Sequence, residues 1–156
     1  YFGNLPDTTK TWVKSIQINH TIKYFLITDQ KSVKLYSENL EIIIMSFESL
    51  QMRFKEMLSI NIKSPYKLCD LKPTYGYVFN DLLHQFKYWG YSDLDLSFGN
   101  LDTLIQKIDE NNIDKMFSKG HFSIYRNNSE INQIFKIAKH KNESVGSILF
   151  ICYFHL

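Results

Sequence analysis

Two carboxylates one residue apart, Asp93 and Asp95, lie within the run Tyr88-Trp89-Gly90-Tyr91-Ser92-Asp93-Leu94-Asp95-Leu96-Ser97-Phe98-Gly99-Asn100. On an extended strand, residues i and i+2 face the same way, so the pair can aim at one point. Hard oxygen donors of this kind suit a divalent cation. Mg²⁺ in particular is commonly held by one or two carboxylates together with a substrate's phosphates. Asp pairs also occur on solvated edges and in turns, but an aromatic, apolar lead-in is an unfavourable setting for two unpaired charges. Further along the chain in either direction stand other groups with chemical potential. Lys67, Asp70 and Lys72 fall on one stretch read as helical, where surface ion pairing is the alternative to a binding role. His121 follows Gly120 and reads as a turn or strand-edge histidine unless a ligand recruits it. Trp89 and Tyr91 read as core or pocket wall. Cys69 reads as a small packed residue, since no His stands near it in sequence to activate a thiolate.

The elements that must position these groups can be read from periodicity. Thr8 or Thr9 can cap a helix carrying Trp12, Val13, Ile16 and Ile18 on one face. Residues 22–28 form a nearly continuous β-rich run, as strands of buried parallel sheets do, and Asp29 follows it. A polar residue just past the C-terminal end of such a strand is where open α/β sheets place ligand contacts, an Asx turn being the other reading. Residues 40–45 give a second apolar strand. Ser46 then opens a helix with Leu50, Phe54, Met57 and Leu58 at helical spacing. Residues 60–65 connect to a helical stretch over 66–86, in which Pro73 marks a first turn or a kink and Tyr75, Val78, Phe79, Leu82 and Leu83 make the apolar face.

Residues 86–96 read as the strand and turn that end in the two aspartates. A short helix over 102–108 places Leu101, Leu104, Ile105 and Ile108 on one face. Residues 109–114 are a polar loop and 122–125 a half-buried strand. Asn128 or Ser129 caps a last helix with Ile131, Ile134, Phe135 and Ala138 inward, and residues 148–154 form a lone apolar strand. Alternating helices and apolar strands predict an α/β layered domain.

With 156 residues the chain suffices for one domain with a real core. Its net charge of +2 and scattered lysines supply no basic block, which argues against nucleic acid as a partner. Cys69 and Cys152 are too few for a disulfide framework, so a reducing compartment is expected. No apolar run approaches the roughly 18 residues of a spanning helix, and no signal-peptide pattern is present. The start at Tyr1 reads as a loop leaving a strand that precedes this stretch.

Several blocks, taken in order, carry a resemblance: Tyr1-Phe2-Gly3, residues 25–29, Pro65-Tyr66-Lys67-Leu68-Cys69-Asp70-Leu71-Lys72-Pro73, residues 89–99 and residues 120–127. Together they resemble a bacterial family of glycosyltransferase-like proteins from capsule and surface-polysaccharide gene clusters and, more distantly, the GT-A glycosyltransferases. The similarity spans residues 1–136. The resemblance implies a GT-A, Rossmann-like nucleotide-sugar-binding sheet flanked by helices. Residues 1–100 would be the nucleotide-sugar-binding part, and 101–156 the start of an acceptor-side part, within a single domain.

It further implies Mn²⁺ or Mg²⁺ held by Asp95 directly, with Asp93 on the metal through water or on the donor ribose or sugar. Asp70 would meet the donor sugar, Lys67 or Lys72 the phosphates, and Tyr1, Phe2 and Asp29 the nucleoside. The partners implied are a nucleotide-sugar donor, UDP-linked by preference, and a glycan or polysaccharide acceptor. Relatives continue past the last helix, so a chain ending at Leu156 reads as truncated. The further metal ligand that GT-A enzymes commonly take downstream, often a His, is not supplied convincingly by His155.

The chemistry is coherent. Cleaving a sugar–diphosphate bond charges the leaving oxygen, which a cation and a lysine can offset, while a carboxylate such as Asp70 stabilises an oxocarbenium-like centre. An inverting route needs a general base, for which His121 and Asp114 are candidates. The expected activity is therefore metal-dependent sugar transfer, in the cytoplasm or peripheral at the inner face of the membrane. The alternative is a non-catalytic or truncated module that binds a nucleotide-sugar or a protein partner. A phosphatase or nuclease is less favoured, because no further carboxylate and histidine cluster supports a two-metal site.

Overall fold

A computed structural model describes residues 1–118 and 120–139. In chain order its helices and strands are α1 (Thr9–Ile16), β1 (Tyr24–Thr28), β2 (Leu40–Ile44), α2 (Phe47–Leu58), α3 (Leu68–Leu71), α4 (Tyr75–Val78), α5 (Asn80–Leu83), β3 (Tyr88–Ser92), α6 (Asp102–Glu110), β4 (Lys115–Met116), β5 (Phe122–Arg126) and α7 (Phe135–Lys139). The chain is mixed α/β and divides into two compact units. One is Tyr1–Asn61 with Asp93–Asn112, and the other is Ile62–Ser92 with Ile113–Leu156. The expected strand at 148–154 and His155 lie outside the described residues, as does the side chain of Ala138.

In the first unit, Trp12, Val13 and Ile16 fall on one face of α1 and are buried, packed by Tyr24, Leu35, Leu40, Leu94 and Phe98. Thr8 stands at the N-cap position but makes no side-chain capping bond. Ile18 is half exposed, contrary to the expected inward face. The helix stops at Ile16, so helical periodicity no longer governs that residue. β1 and β2 pair in parallel, Tyr24 opposite Leu40 and Thr28 opposite Ile44. Their crossover over residues 29–39 holds no helix. It is fixed instead by Asn39, whose Nδ2 donates to the Ile16 and Asn19 carbonyls at 2.9 Å each. The Tyr24 amide donates to the Asn39 carbonyl at 2.7 Å. α2 begins as expected: the Ser46 hydroxyl accepts from the Ser49 amide at 3.1 Å, and Leu50 and Phe54 are buried.

In the second unit the helical stretch expected over 66–86 is a succession of short turns. The 3₁₀ segments Pro65–Lys67 and Lys72–Thr74 alternate with α3, α4 and α5. Pro73 lacks the amide that a continuous helix would use, and Phe79 leaves helical geometry at φ −109° and ψ 30°. β3, β5 and β4 form an antiparallel sheet with β5 central. The central position explains why Ser123, Ile124 and Tyr125 are all buried where alternation was expected. The two-residue β4 carries too little pattern to be anticipated. Gly90 is required in β3, because a Cβ there would stand 2.5 Å from the Ser123 carbonyl oxygen. Trp89, Tyr125 and Ile131 form the core with Tyr75, Leu83 and Tyr91. The Trp89 and Tyr125 rings stack with centroids 4.5 Å apart.

Candidate functional site

β3 ends at Ser92, so the two carboxylates do not share a strand face. Asp93 is the first residue beyond the strand and half-buried, and Leu94 and Asp95 form a turn with Asp95 exposed. The strand and turn expected over 86–96 are found, but with both aspartates beyond the strand, so the pleat is not what orients the pair. What fixes the turn is packing and a buried amide. Leu94, between the carboxylates, is sunk against Trp12, Val13 and Ile16, and Phe98 joins the same cluster. Beyond it, Asn19 Nδ2 donates to the Gly99 carbonyl at 3.1 Å, and the Leu101 amide donates to Asn19 Oδ1 at 2.7 Å. The turn is thus clamped on an apolar anchor and a hydrogen-bonded one, with Asp95 left in solvent.

Tyr1, Phe2 and Asp29 come together at the C-terminal end of β1. The Tyr1 nitrogen donates to the Ile27 carbonyl, and the Gly3 amide donates to Asp29 Oδ1 at 3.0 Å. Gln30 Nε2 donates to the Gly3 carbonyl at 2.8 Å, and the Phe2 ring meets Phe47 edge-on at 5.5 Å. Asp29 therefore acts at least as the acceptor that pins the first residues to the strand end.

The second unit carries Lys67, Asp70, Lys72, Trp89 and His121. Lys67 and Asp70 form an exposed ion pair at 3.3 Å. Pairs of this i,i+3 kind contribute about 0.2–0.5 kcal/mol. Lys72 Nζ donates to the Gly120 carbonyl at 2.8 Å and stands 5.3 Å from the Tyr91 ring centre. It ties the β4–β5 turn to the helical stretch, beside the exposed His121. Trp89 is not a pocket wall but core: 4 % exposed, stacked on Tyr125, its Nε1 donating to Asn132 Oδ1 at 2.7 Å. Asp114, a candidate base, accepts from Arg126 Nε at 2.9 Å.

Among the described residues no three His, Cys, Asp or Glu side chains gather as a metal-binding group. Two carboxylates on a turn nevertheless fit the mode in which phosphate and water oxygens complete a hard cation's shell. The residues missed from sequence are the asparagines. Asn19 and Asn39 hold the first unit's loops, and Asn127 and Asn132 those of the second. The available signal was an asparagine set among core apolar residues, as at Asn132 between Ile131 and Ile134, where burial demands hydrogen-bond partners.

Neither the curated proteins nor the solved structures contain a match to this chain. Residues 1–154 match a family of unknown function (DUF6625), and the chain belongs to that family.

Proposed function

We propose that the chain is a metal-dependent glycosyltransferase domain of GT-A type that takes a sugar from a nucleotide-diphospho-sugar, UDP-linked by preference, to a glycan acceptor in surface-polysaccharide assembly. The observation that carries this reading is the Asp93-Leu94-Asp95 turn directly after β3, its middle residue partly buried against α1 and Asp95 presented to solvent. Asp95 holds Mn²⁺ or Mg²⁺, and Asp93 contacts the cation through water or the donor's ribose or sugar. When bound, the cation offsets charge on the leaving diphosphate. Tyr1, Phe2 and Asp29, at the carboxyl end of a parallel strand, supply the nucleoside contacts, the position at which open α/β sheets bind ligands. No described helix is long and apolar enough to cross a membrane. The proposed setting is the cytoplasm or the inner face of the membrane.

A second reading, binding of the nucleotide-sugar or a partner without turnover, is favoured by the engagement of Asp70 and Lys72 in the protein's own contacts. Calorimetric titration of UDP in Mn²⁺ and in EDTA tests the site. Manganese-dependent binding is expected for the wild type and its loss for Asp95→Ala. Because Asp95 is exposed, that variant should stay within about 0.5 kcal/mol of wild-type stability. Wild-type protein that binds no UDP in either condition sinks the proposal. Donor hydrolysis or sugar transfer then separates the enzyme from the binding module.

A further inference from the structure

We infer that Asn19 is a positioning residue for the acidic turn, an assignment that rests on the metal-binding reading of Asp93 and Asp95. Asn19 is fully buried although it follows the end of α1. Its side-chain hydrogen bonds go to backbone, two donated and one accepted. Nδ2 donates to the Ser15 carbonyl at 3.3 Å and to the Gly99 carbonyl at 3.1 Å, while Oδ1 accepts from the Leu101 amide at 2.7 Å. One primary amide thereby joins the C-terminal end of α1 to both sides of Asn100. The peptide segment it holds begins four residues beyond Asp95, and the segment's other anchors, Leu94 and Phe98, pack on the same helix. From Leu94 to Leu101 the chain is thus fastened at both ends to α1, which leaves Asp95 on a short, doubly anchored span.

Buried amides of this kind are costly to leave half-satisfied, so the geometry is strongly specified. A shape-only substitute would fill space but release Gly99 and Leu101. Groups that orient metal-binding carboxylates without touching the metal affect affinity by roughly ten- to a hundredfold. Asn19 touches neither carboxylate and acts through the backbone.

Asn39 supplies a matched control. It lies in the same buried knot and donates to the Ile16 and Asn19 carbonyls, but it makes none of the hydrogen bonds to Gly99 or Leu101. The test compares wild type, Asn19→Ala, the milder Asn19→Ser and Asn39→Ala, each first checked for native fold and chemical stability. Two readouts are taken: manganese-dependent UDP binding, and amide hydrogen exchange across residues 93–101. Both Asn19 variants should raise exchange in that segment at least tenfold over Asn39→Ala and weaken Mn²⁺ affinity by roughly ten- to a hundredfold. Asn39→Ala should lose comparable stability and keep Mn²⁺ affinity within about threefold. Equal exchange and equal affinity in the Asn19 and Asn39 variants overturn the assignment. If the wild type binds no manganese, the metal reading fails, while raised exchange confined to 93–101 still upholds the positioning role. If Asn19→Ala does not fold, Asn19→Ser carries the comparison.

Discussion

Both compact units close their interiors with buried asparagines, yet the two ties hold different things. In the first unit Asn19 and Asn39 bind backbone: the end of α1, the crossover between parallel strands, and the loop after the acidic turn. In the second, Asn132 binds an indole, and through Asn127 it reaches the carbonyls of Leu83 and Phe86. The same side chain is used once to shape a loop that carries exposed carboxylates and once to orient a core aromatic. An amide suits both tasks because it donates and accepts in a fixed plane, so it can saturate groups that water cannot reach. Loop-holding amides should influence ligand binding more than their stability cost suggests, whereas core-holding amides should register in stability alone.

The largest effect is expected where the tie serves packing. Trp89→Ala removes a ring stacked at 4.5 Å on Tyr125 and leaves Asn132 facing a void. A loss of about 3–5 kcal/mol is expected in urea unfolding, a large fraction of what usually holds a domain folded. A variant that retained its cooperative transition within 1 kcal/mol of wild type (order of magnitude) would show that the indole is not the centre of that core. Next comes Asn132→Leu, which strands the Trp89 Nε1 and the Asn127 Oδ1, at about 1–3 kcal/mol. In a Trp89→Phe background the same change should cost measurably less, since one stranded donor has already gone. Equal costs in both backgrounds would break the proposed coupling. Neither second-unit asparagine should move manganese affinity, in contrast to Asn19.

What periodicity could reveal differed along the same lines. The buried face of α1, the two apolar strands β1 and β2, and the Ser46 start of α2 were legible, because apolar spacing and a capping serine state them locally, whereas the parallel pairing of the strands is tertiary. Helical spacing over 66–86, with a first turn or a kink at Pro73, does not separate 3₁₀ from α turns, because both present apolar residues at nearly the same interval. Only the backbone at Pro73 and Phe79 distinguishes them. Asp93 and Asp95 were found by type and spacing, but their mutual orientation was not, since it depends on Leu94 entering a core built by residues some eighty positions earlier. Trp89 reads from sequence as core or pocket wall, and only tertiary structure decides for the core, with both its ring face and its nitrogen engaged. The asparagine ties were illegible for the same reason: those to Gly99, Leu101, Ile16, Trp89 and Leu83 join residues far apart in sequence. Local pattern locates chemistry; it does not aim it.

The smallest effect concerns a hydroxyl that no amide serves. Tyr24 packs edge-on against Trp12 at 6.0 Å, and among the described residues its buried hydroxyl has no hydrogen-bond partner. Burial, with the Asp102 carboxylate adding to it, pushes its pKa up to about 12, against about 10 for the free side chain. The sign follows from proton counting. Between those values the folded state holds a proton that the unfolded state has released, so stability falls as pH rises. The contribution is complete below pH about 10 and lost by about 12; with the ring only half-buried, solvent screening reduces it to on the order of 1 kcal/mol. Tyr24→Phe should lie within about 0.5 kcal/mol of wild type at neutral pH, since it keeps the ring contact and deletes only an unserved hydroxyl. Measured by urea unfolding at pH 8, 10 and 11.5, the wild type should lose more stability than the variant above pH 10. Parallel curves would mean that the hydroxyl reaches water after all, and a marked loss at neutral pH would mean that it has a partner. In either event the first unit's core would be better served than its asparagines alone account for.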